Sequence, residues 1–371
     1  MRGLIAQITH FLSVRGGLRA LLLCWAGVFA WPAAGGDAPV PGPKSAPLQL
    51  RVVGGLAGVA QYTVHEAPFW TQTLPRLTQG RVTATIAPFD QAGVPGNKML
   101  TLLETGVVPF GTVLLSQVTG ENPALALPDM AGLSADAATL RRVVEAFEPE
   151  MDRLLRERFN TKMLAVYIYP AQVIFCTDTL RGLDDLKGRR VRVSSGSQAD
   201  FVRALGGTPV PTAFSALMSN MASGNTDCAI TGGASGNTLG LHQVTRSLFT
   251  MPINWGLAVF GANADAWAAL PADVRDLLAH ELEQLEQRIW AQSIRDTDAA
   301  VACNTGTGRC EGGTPGNMVA VYPSARDDQR RREILTASIL PNWMQRCGPD
   351  CVRLWSRTIA PVISAGPVRT P

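Results

Sequence analysis

A strand–helix alternation in the middle of the chain constrains the fold more than any other feature of the sequence. From Leu183 to Thr231 the chain reads LDDLKGRRVRVSSGSQADFVRALGGTPVPTAFSALMSNMASGNTDCAIT. The predicted strands lie at 191–193, 208–210 and 228–231, and the predicted helices lie at 198–205 and 215–223. Strands that alternate with helices form mostly parallel sheets, so the segment predicts an α/β fold.

Arg192 stands at the end of the first of these strands. Side chains alternate along a strand, so Arg190 and Arg192 share one face while Val191 and Val193 share the other. Ligands of open α/β sheets bind beyond the carboxyl ends of the strands, and a guanidinium there can hold a carboxylate through two parallel hydrogen bonds. The segment therefore predicts an organic-anion site at Arg192.

The same alternation extends along the rest of the chain. Further strands are predicted at 48–53, 81–87, 107–114, 163–168, 173–176 and 256–262, with helices at 62–77, 97–105, 328–340 and a pair within 136–158. A long helix is predicted from Pro271 to about Ala299, because apolar residues recur at helical spacing after the proline. At 1.5 Å per residue it would span roughly 40 Å, enough to lie across two small lobes.

A glycine-rich turn, Gly54-Gly55-Leu56-Ala57-Gly58, follows the first strand. A dinucleotide site would require the spacing G-x-G-x-x-G and an acidic residue at the end of the next strand, and neither is present. The turn instead allows the backbone to approach a ligand or a neighbouring helix. The pattern also contains no feature that calls for a cofactor.

The N-terminus has the organisation of an export signal. Three arginines precede an apolar run at 20–29, and Pro32-Ala33-Ala34 offers small residues for cleavage. We expect a signal peptide at 1–34, a Pro/Gly-rich tether at 35–47 and a periplasmic mature protein. The apolar run is too short for a membrane span, and Leu23 before Cys24 fits a lipoprotein signal poorly, so no stable membrane insertion is expected.

Net charge argues against a nucleic-acid partner. The chain has 33 Lys and Arg against 30 Asp and Glu, and the predicted signal removes three arginines and no acid. The mature chain is therefore balanced, and it has no basic run with interleaved aromatic residues.

Six cysteines remain after the signal, an even number that suits an oxidising compartment. Proximity in sequence favours Cys303 with Cys310 and Cys347 with Cys351, which leaves Cys176 with Cys228. Six cysteines allow fifteen pairings, so this is a preference among them. A zinc site is disfavoured because no histidine lies near either C-terminal pair.

Three blocks of the sequence resemble the DctP family, the periplasmic solute-binding subunits of TRAP transporters. They are LKGRRVRV at 186–193, ALGGTPVPTAFS at 204–215 and GNTD at 224–227, and the AALP before the long helix is similar to the start of the corresponding helix in that family. The resemblance implies a periplasmic binding protein of type II-like fold, with two α/β lobes joined by crossing hinge strands and one domain-spanning helix. Residues 48–171 plus 257–299 would form lobe I, and 172–256 plus 300–371 would form lobe II with a disulfide-rich tail.

The resemblance also implies functional roles. Arg192 would grip the carboxylate of a substrate, Phe214 would be the pocket aromatic residue, and Ser195 would be a polar pocket residue. The lobes would close on the ligand, and the closed form would dock on the small and large TRAP membrane subunits.

Two positions depart from the family pattern. The family often has a second arginine upstream, where the nearest match here is Gln172, and Thr231 stands at a position where many members carry an amide. A monocarboxylate with an apolar or aromatic body therefore fits the predicted pocket better than a sugar acid or a small dicarboxylate.

Other candidate binding residues are proposed from their placement alone. Tyr62 follows the glycine turn, Gln91 follows the second strand, and Asn237 and Trp255 flank the second predicted crossing. Core packing or turn formation remains the alternative for each of them. Phe214 could likewise be a core residue, and Ser195 and Thr231 could cap helices instead of contacting a ligand.

Catalysis has little support, because the mature chain has few histidines, no G-x-S-x-G elbow and no H-E-x-x-H. A binding protein requires only donors that converge in a closable cleft. The sequence therefore favours a non-enzymatic binding protein, and the family resemblance implies that it serves a permease. A subunit that presents ligand to a sensor kinase remains an alternative, and an exported α/β enzyme is a remote one.

Overall fold

The computed structural model describes residues 46–364. The predicted signal peptide at 1–34 and most of the tether lie outside the described residues. The strands are β1 (Leu48–Gly54), β2 (Val82–Pro88), β3 (Phe110–Leu114), β4 (Thr161–Ile168), β5 (Gln172–Cys176), β6 (Arg190–Val193), β7 (Thr208–Pro211), β8 (Cys228–Gly232), β9 (Ser247–Asn254), β10 (Leu257–Asn263) and β11 (Val319–Val321).

Helices connect and cover these strands. They are α1 (Leu74–Leu77), α2 (Met99–Glu104), α3 (Leu115–Val118), α4 (Ala137–Phe159), α5 (Gly196–Ala204), α6 (Leu217–Ala222), α7 (Gly233–Thr238), α8 (Ala264–Ala268), α9 (Ala272–Thr305), α10 (Ala325–Ile334), α11 (Leu340–Cys347) and α12 (Pro349–Ser364). Short helical segments at Gln61–Glu66, Phe69–Thr73 and Pro123–Asp129 also belong to the fold. Among residues 46–364, no helix has the length and apolar character needed to cross a membrane.

The first lobe is built on a sheet of strand order β2-β1-β3-β10-β4. Strands β1, β2 and β3 are parallel, whereas β10 runs antiparallel to both β3 and β4. Strand β10 lies inside the sheet, and all of its residues are buried. The carboxyl ends of β1 to β4 and the start of β10 therefore meet at one edge of this sheet.

The second lobe is built on a sheet of order β11-β9-β5-β8-β6-β7. Strands β6, β7 and β8 are parallel, and β5 runs antiparallel to β8, with Gln172 opposite Gly232. Strand β9 is antiparallel to β5, and its last residue, Asn254, lies opposite Gln172. One edge of this sheet therefore collects the ends of β6, β7, β8 and β9 and the start of β5.

The chain passes from one sheet to the other at two short crossings. The first crossing is the β4–β5 connection, and the second is the turn at Trp255-Gly256 between β9 and β10. Gly256 has a φ of +85°, a left-handed conformation that favours glycine. The crossings bring the two edges described above to face each other. The two sheets and their connecting helices confirm the predicted α/β class.

Helix α9 spans both lobes. The indole of Trp290 donates to the carbonyl of Val166 in the first lobe at 2.8 Å, and Asn304 donates to the carbonyl of Gly233 in the second at 3.0 Å. The helix runs from Ala272 to Thr305, with Pro271 just before it, and is one and a half turns longer than predicted.

Several sequence-based boundaries differ from the structure. The predicted pair of helices within 136–158 is one helix, α4, which continues through Pro149 and begins at the cap Asp136, whose side chain accepts from Thr139 N at 2.7 Å. Strands β9 and β11 were not predicted.

The C-terminal helices return to the first lobe. The sequence-based division into lobes places 300–371 in lobe II. In the structure, α12 packs against α4 of the first lobe, and Arg357 pairs with Glu150 at 2.8 Å. The apolar face of α12, which includes the buried Leu354 and Ile359, requires a partner surface and finds it there.

The six cysteines form the preferred pairs. Cys176–Cys228 joins neighbouring residues of β5 and β8, Cys303–Cys310 closes a loop at the end of α9, and Cys347–Cys351 joins α11 to α12.

Candidate ligand-binding cleft

A cleft of about 830 Å³ lies between the two lobes, where the edges of the two sheets face each other. The first lobe contributes Leu56, Val59, Asn97, Leu114, Ser116, Gln117 and Tyr169 to its lining. The second lobe contributes the ends of β6, β7 and β8, together with Ser195 and Gly196 at the start of α5. Asn254, Gly256 and Leu257 line it at the second crossing.

Arg192 is the most deeply placed cation of this cleft. It is 2% exposed, and its guanidinium donates to the carbonyl of Thr212 at 2.8 and 3.0 Å and to that of Ile230 at 2.9 Å. These bonds use part of its five N–H donors and fix its plane. Within residues 46–364 it makes no ion pair, and burial lowers its pKa to about 10. The group nevertheless remains a cation at neutral pH, so it offers a buried positive charge to an anion.

Local sequence explains how Arg192 reaches this position. Val191 and Val193 alternate with it and are buried beneath the sheet. Arg190, on the same strand, lies at the opposite end and pairs with Asp227 at 2.6 Å. The two arginines therefore differ in role: one is neutralised at the surface, and the other lines the cleft.

Phe214 and Thr231 also line the cleft. Phe214 is half-buried just beyond β7, so its ring is available to a ligand body. Thr231 is buried near the end of β8, and its hydroxyl makes no hydrogen bond to another part of the described chain.

Ser195 and Gln172 line the cleft, but both are already engaged. The hydroxyl of Ser195 caps α5, accepting from Gln198 N at 3.2 Å. The amide of Gln172 donates to the carbonyls of Pro170 and Trp255, each at 3.2 Å. Gln172 thereby ties the first crossing to the second.

The structure places four of the predicted residues outside the cleft lining. Trp255 is buried, and its indole donates to the carbonyl of Ser134 at 3.2 Å. Asn237 exchanges hydrogen bonds with the backbone of Thr314, both at 2.8 Å, and so anchors α7 to the loop after α9.

Tyr62 and Gln91 complete this group. The ring of Tyr62 covers Gly54, where a Cβ atom would lie 2.7 Å from it, so the glycine turn serves close packing against a helical segment. Gln91 is exposed in the turn after β2. Trp255, Asn237 and Tyr62 thus pack against other parts of the protein, and Gln91 lies in a turn. These are the alternatives to ligand contact that the sequence analysis left open.

Two further arginines, Arg203 and Arg346, line the cleft, and the sequence analysis did not find them. Asp200 of α5 is 4% exposed and pairs with Arg203 at 3.1 Å and with Arg346 of α11 at 2.7 Å. The charged lining is thus Arg192, Asp200, Arg203 and Arg346, with an excess of positive charge. No sequence pattern links Arg346 to α5, because only the return of the C-terminal helices brings them together.

Asn254 was also missed, because β9 was not predicted. Its amide oxygen accepts from Gln198 at 2.8 Å, and its amide nitrogen donates to Asp129 at 2.9 Å. Asp129 also accepts from the backbone N–H groups of Trp255 and Gly256, each at 2.9 Å, and burial raises its pKa to about 6.

Two lobes, two short crossings, a shared helix and a cation-lined cleft between them define a bilobed solute-binding protein. The chain belongs to the DctP family, family 7 of the bacterial extracellular solute-binding proteins, whose model matches residues 54–303. The predicted family and the type II-like fold are therefore confirmed. Members of this family are receptors for solutes outside the cytoplasm.

Solved structures share the fold at low sequence identity. DctP7 of Bordetella pertussis, an extracytoplasmic solute receptor binding pyroglutamic acid, is 18% identical with a TM-score of 0.73, over 83% of this chain and 98% of that one. A TRAP periplasmic solute-binding protein of Desulfovibrio salexigens with bound orotic acid is 15% identical with a TM-score of 0.73, over 85% and 99%. One from Sulfurospirillum deleyianum with bound succinate is 17% identical with a TM-score of 0.70, over 83% and 98%.

Proposed function

We propose that this protein binds a small organic carboxylate in the cleft between its lobes and delivers it, in the periplasm, to a TRAP-type membrane permease. The observation that carries the proposal is the buried guanidinium of Arg192, which lines the cleft without an ion pair among residues 46–364. A buried charge is costly unless it is paired, and a carboxylate ligand would supply the missing partner.

The environment of Arg192 supports a carboxylate as this partner. Its two backbone acceptors hold the guanidinium in one plane, and donors left free in that plane suit the two oxygens of a carboxylate. Phe214 and the apolar Leu56, Val59 and Leu257 would surround the body of the acid. The related proteins named above bind pyroglutamic acid, orotic acid and succinate, all of them carboxylic acids.

Binding can be tested by calorimetric titration of pyroglutamate, orotate, succinate and aliphatic or aryl monocarboxylates into the purified protein. Arg192→Met removes the proposed contact, and Arg190→Met is the matched control on the same strand. Loss of a charged bidentate contact should weaken binding by at least tenfold in the first variant only. Equal affinity of both variants for every acid that binds would contradict the role of Arg192.

Delivery to a permease requires a separate measurement. Uptake of a bound acid into vesicles that contain the cognate small and large membrane subunits should depend on added protein and fail with Arg192→Met. Uptake that proceeds equally without the protein would exclude the transport role. Conversion of the acid by the protein alone would contradict a binding function.

A further inference from the structure

A side pocket of about 210 Å³ opens beside the cleft, between α3, the segment Pro123–Asp129, the start of α5 and α11. It shares Ser116, Ser195, Gly196 and Arg346 with the lining of the cleft, so the two spaces adjoin each other. Its apolar wall is formed by Leu115, Pro123, Leu125, Ala126, Met130 and Trp343.

Four of the polar side chains around this side pocket are already engaged. Asp129 accepts from the second crossing, and Arg346 is held by Asp200 at 2.7 Å. Ser197 accepts from Ala131 N at 3.2 Å, and the indole of Trp343 donates to the carbonyl of Pro123 at 2.7 Å. The space is therefore suited to an apolar group, because a polar ligand atom would find few free partners there.

The side pocket also lies within reach of Arg192. Gly196 is four positions after Arg192 in the sequence, and an extended chain of four residue steps spans at most roughly 14 Å. A ligand held by its carboxylate at Arg192 could therefore extend past Arg346 into this space.

We propose that the side pocket binds the apolar arm of the ligand, and that the protein selects monocarboxylates with an alkyl or aryl extension over short acids. The inference rests on the proposed carboxylate binding and assigns a ligand class to it. Trp343 and Arg346 come from the C-terminal helices, outside the part that matches the family model at 54–303. These helices thus add a specificity element to the solute-binding core.

The guanidinium of Arg346 marks the entrance to the side pocket. Its ion pair with Asp200 fixes it beside Ser195 and Gly196, and its methylene groups can cover an apolar arm while the charge remains with Asp200. An aryl arm would gain a further favourable contact with this cation.

The experiment is a calorimetric titration of straight-chain monocarboxylates from propionate to octanoate. Each methylene that enters an apolar space should tighten binding about fourfold in the native protein until the space is filled. Ala126→Phe places a ring in the side pocket from a half-buried position, and should remove this gain while leaving the affinity for propionate unchanged. Ala126→Leu is a milder substitution that should remove part of it.

Ala268→Phe, at an exposed position of α8, is the matched control and should behave as the native protein does. A chain-length gain that persists in Ala126→Phe, or binding of propionate with no gain in the native protein, would overturn the side-pocket proposal alone. If no acid binds, the proposed function itself fails.

Discussion

Asp129 and Asn254 face each other at the second crossing, with the carboxylate of the first 2.9 Å from the amide nitrogen of the second. Asp129 belongs to the first lobe and Asn254 ends a strand of the second, so this contact connects the lobes directly beside the cleft. Through Gln198 it also connects to the helix that follows Arg192.

Asp129→Asn should destabilise the protein by about 2 kcal/mol at neutral pH, because an amide nitrogen would face buried N–H donors that now have a carboxylate acceptor. Burial raises the pKa of Asp129 to about 6, so the carboxylate is charged at pH 7.5. Urea unfolding at that pH measures the change. The exposed Asp178→Asn is the control, and an equal effect of both substitutions would contradict the assigned contact.

Glu66 should give the unfolding free energy a pH dependence. Its carboxylate accepts from Gly55 N at 2.8 Å and from the hydroxyl of Thr112, yet burial raises its pKa from 4.5 to about 7. Between these values the folded state binds more protons than the unfolded state, so stability falls as pH rises through this window and levels off above it.

The contribution of Glu66 can be isolated with Glu66→Gln, which does not titrate. The difference in unfolding free energy, native minus variant, should decrease by about 3 kcal/mol between pH 4.5 and 8. Denaturant titrations at several pH values measure it, and the other carboxyl groups cancel in the difference. Parallel curves for the two proteins would contradict the shifted pKa.

The disulfides should contribute unequally. Cys176 and Cys228 are 52 residues apart and Cys303 and Cys310 are 7 apart, so loop entropy predicts losses of about 4 and about 2 kcal/mol when each pair is replaced by alanine. Urea unfolding without reductant compares the two double variants. A smaller loss for the 176–228 pair would show that the loop argument does not govern their stability.

Gly256 should not tolerate a side chain. Its φ of +85° is strained for alanine, and a Cβ atom would lie 3.4 Å from Tyr169, so Gly256→Ala should cost about 1 kcal/mol or more. Gly196, the first residue of α5, has open space around a Cβ atom, and Gly196→Ala should stabilise the protein by roughly 0.5 kcal/mol. Thermal unfolding without ligand compares them; two shifts of the same sign would contradict this reasoning.

Local periodicity was sufficient to predict the α/β class and to place Arg192 at a strand end that lines the cleft. Alternation along Arg190–Val193 and the position of ligand sites in α/β sheets were enough to select Arg192, because both depend on nearby sequence. The first crossing and the long helix could also be predicted from local sequence. The ends of the predicted strands mark the crossing, and the spacing of apolar residues marks the helix.

The remaining site residues depend on contacts between distant parts of the chain. Trp255 was expected to face a ligand, but the carbonyl of Ser134 and the carboxylate of Asp129 hold its indole and its backbone inside. Arg346 reaches the cleft only because α11 and α12 return across the first lobe. Neither of these contacts produces a periodic pattern in the sequence from which it could be predicted.

The return of α12 to the first lobe restricts the ways in which the two halves can move. The chain already passes between them at two short turns and along α9, and the C-terminal helices add a further link beside the cleft. Fewer relative orientations are then available to the unliganded protein, so less rotational freedom remains to be lost when a ligand is enclosed. The C-terminal segment can thus raise affinity through preorganisation even for solutes that it never touches.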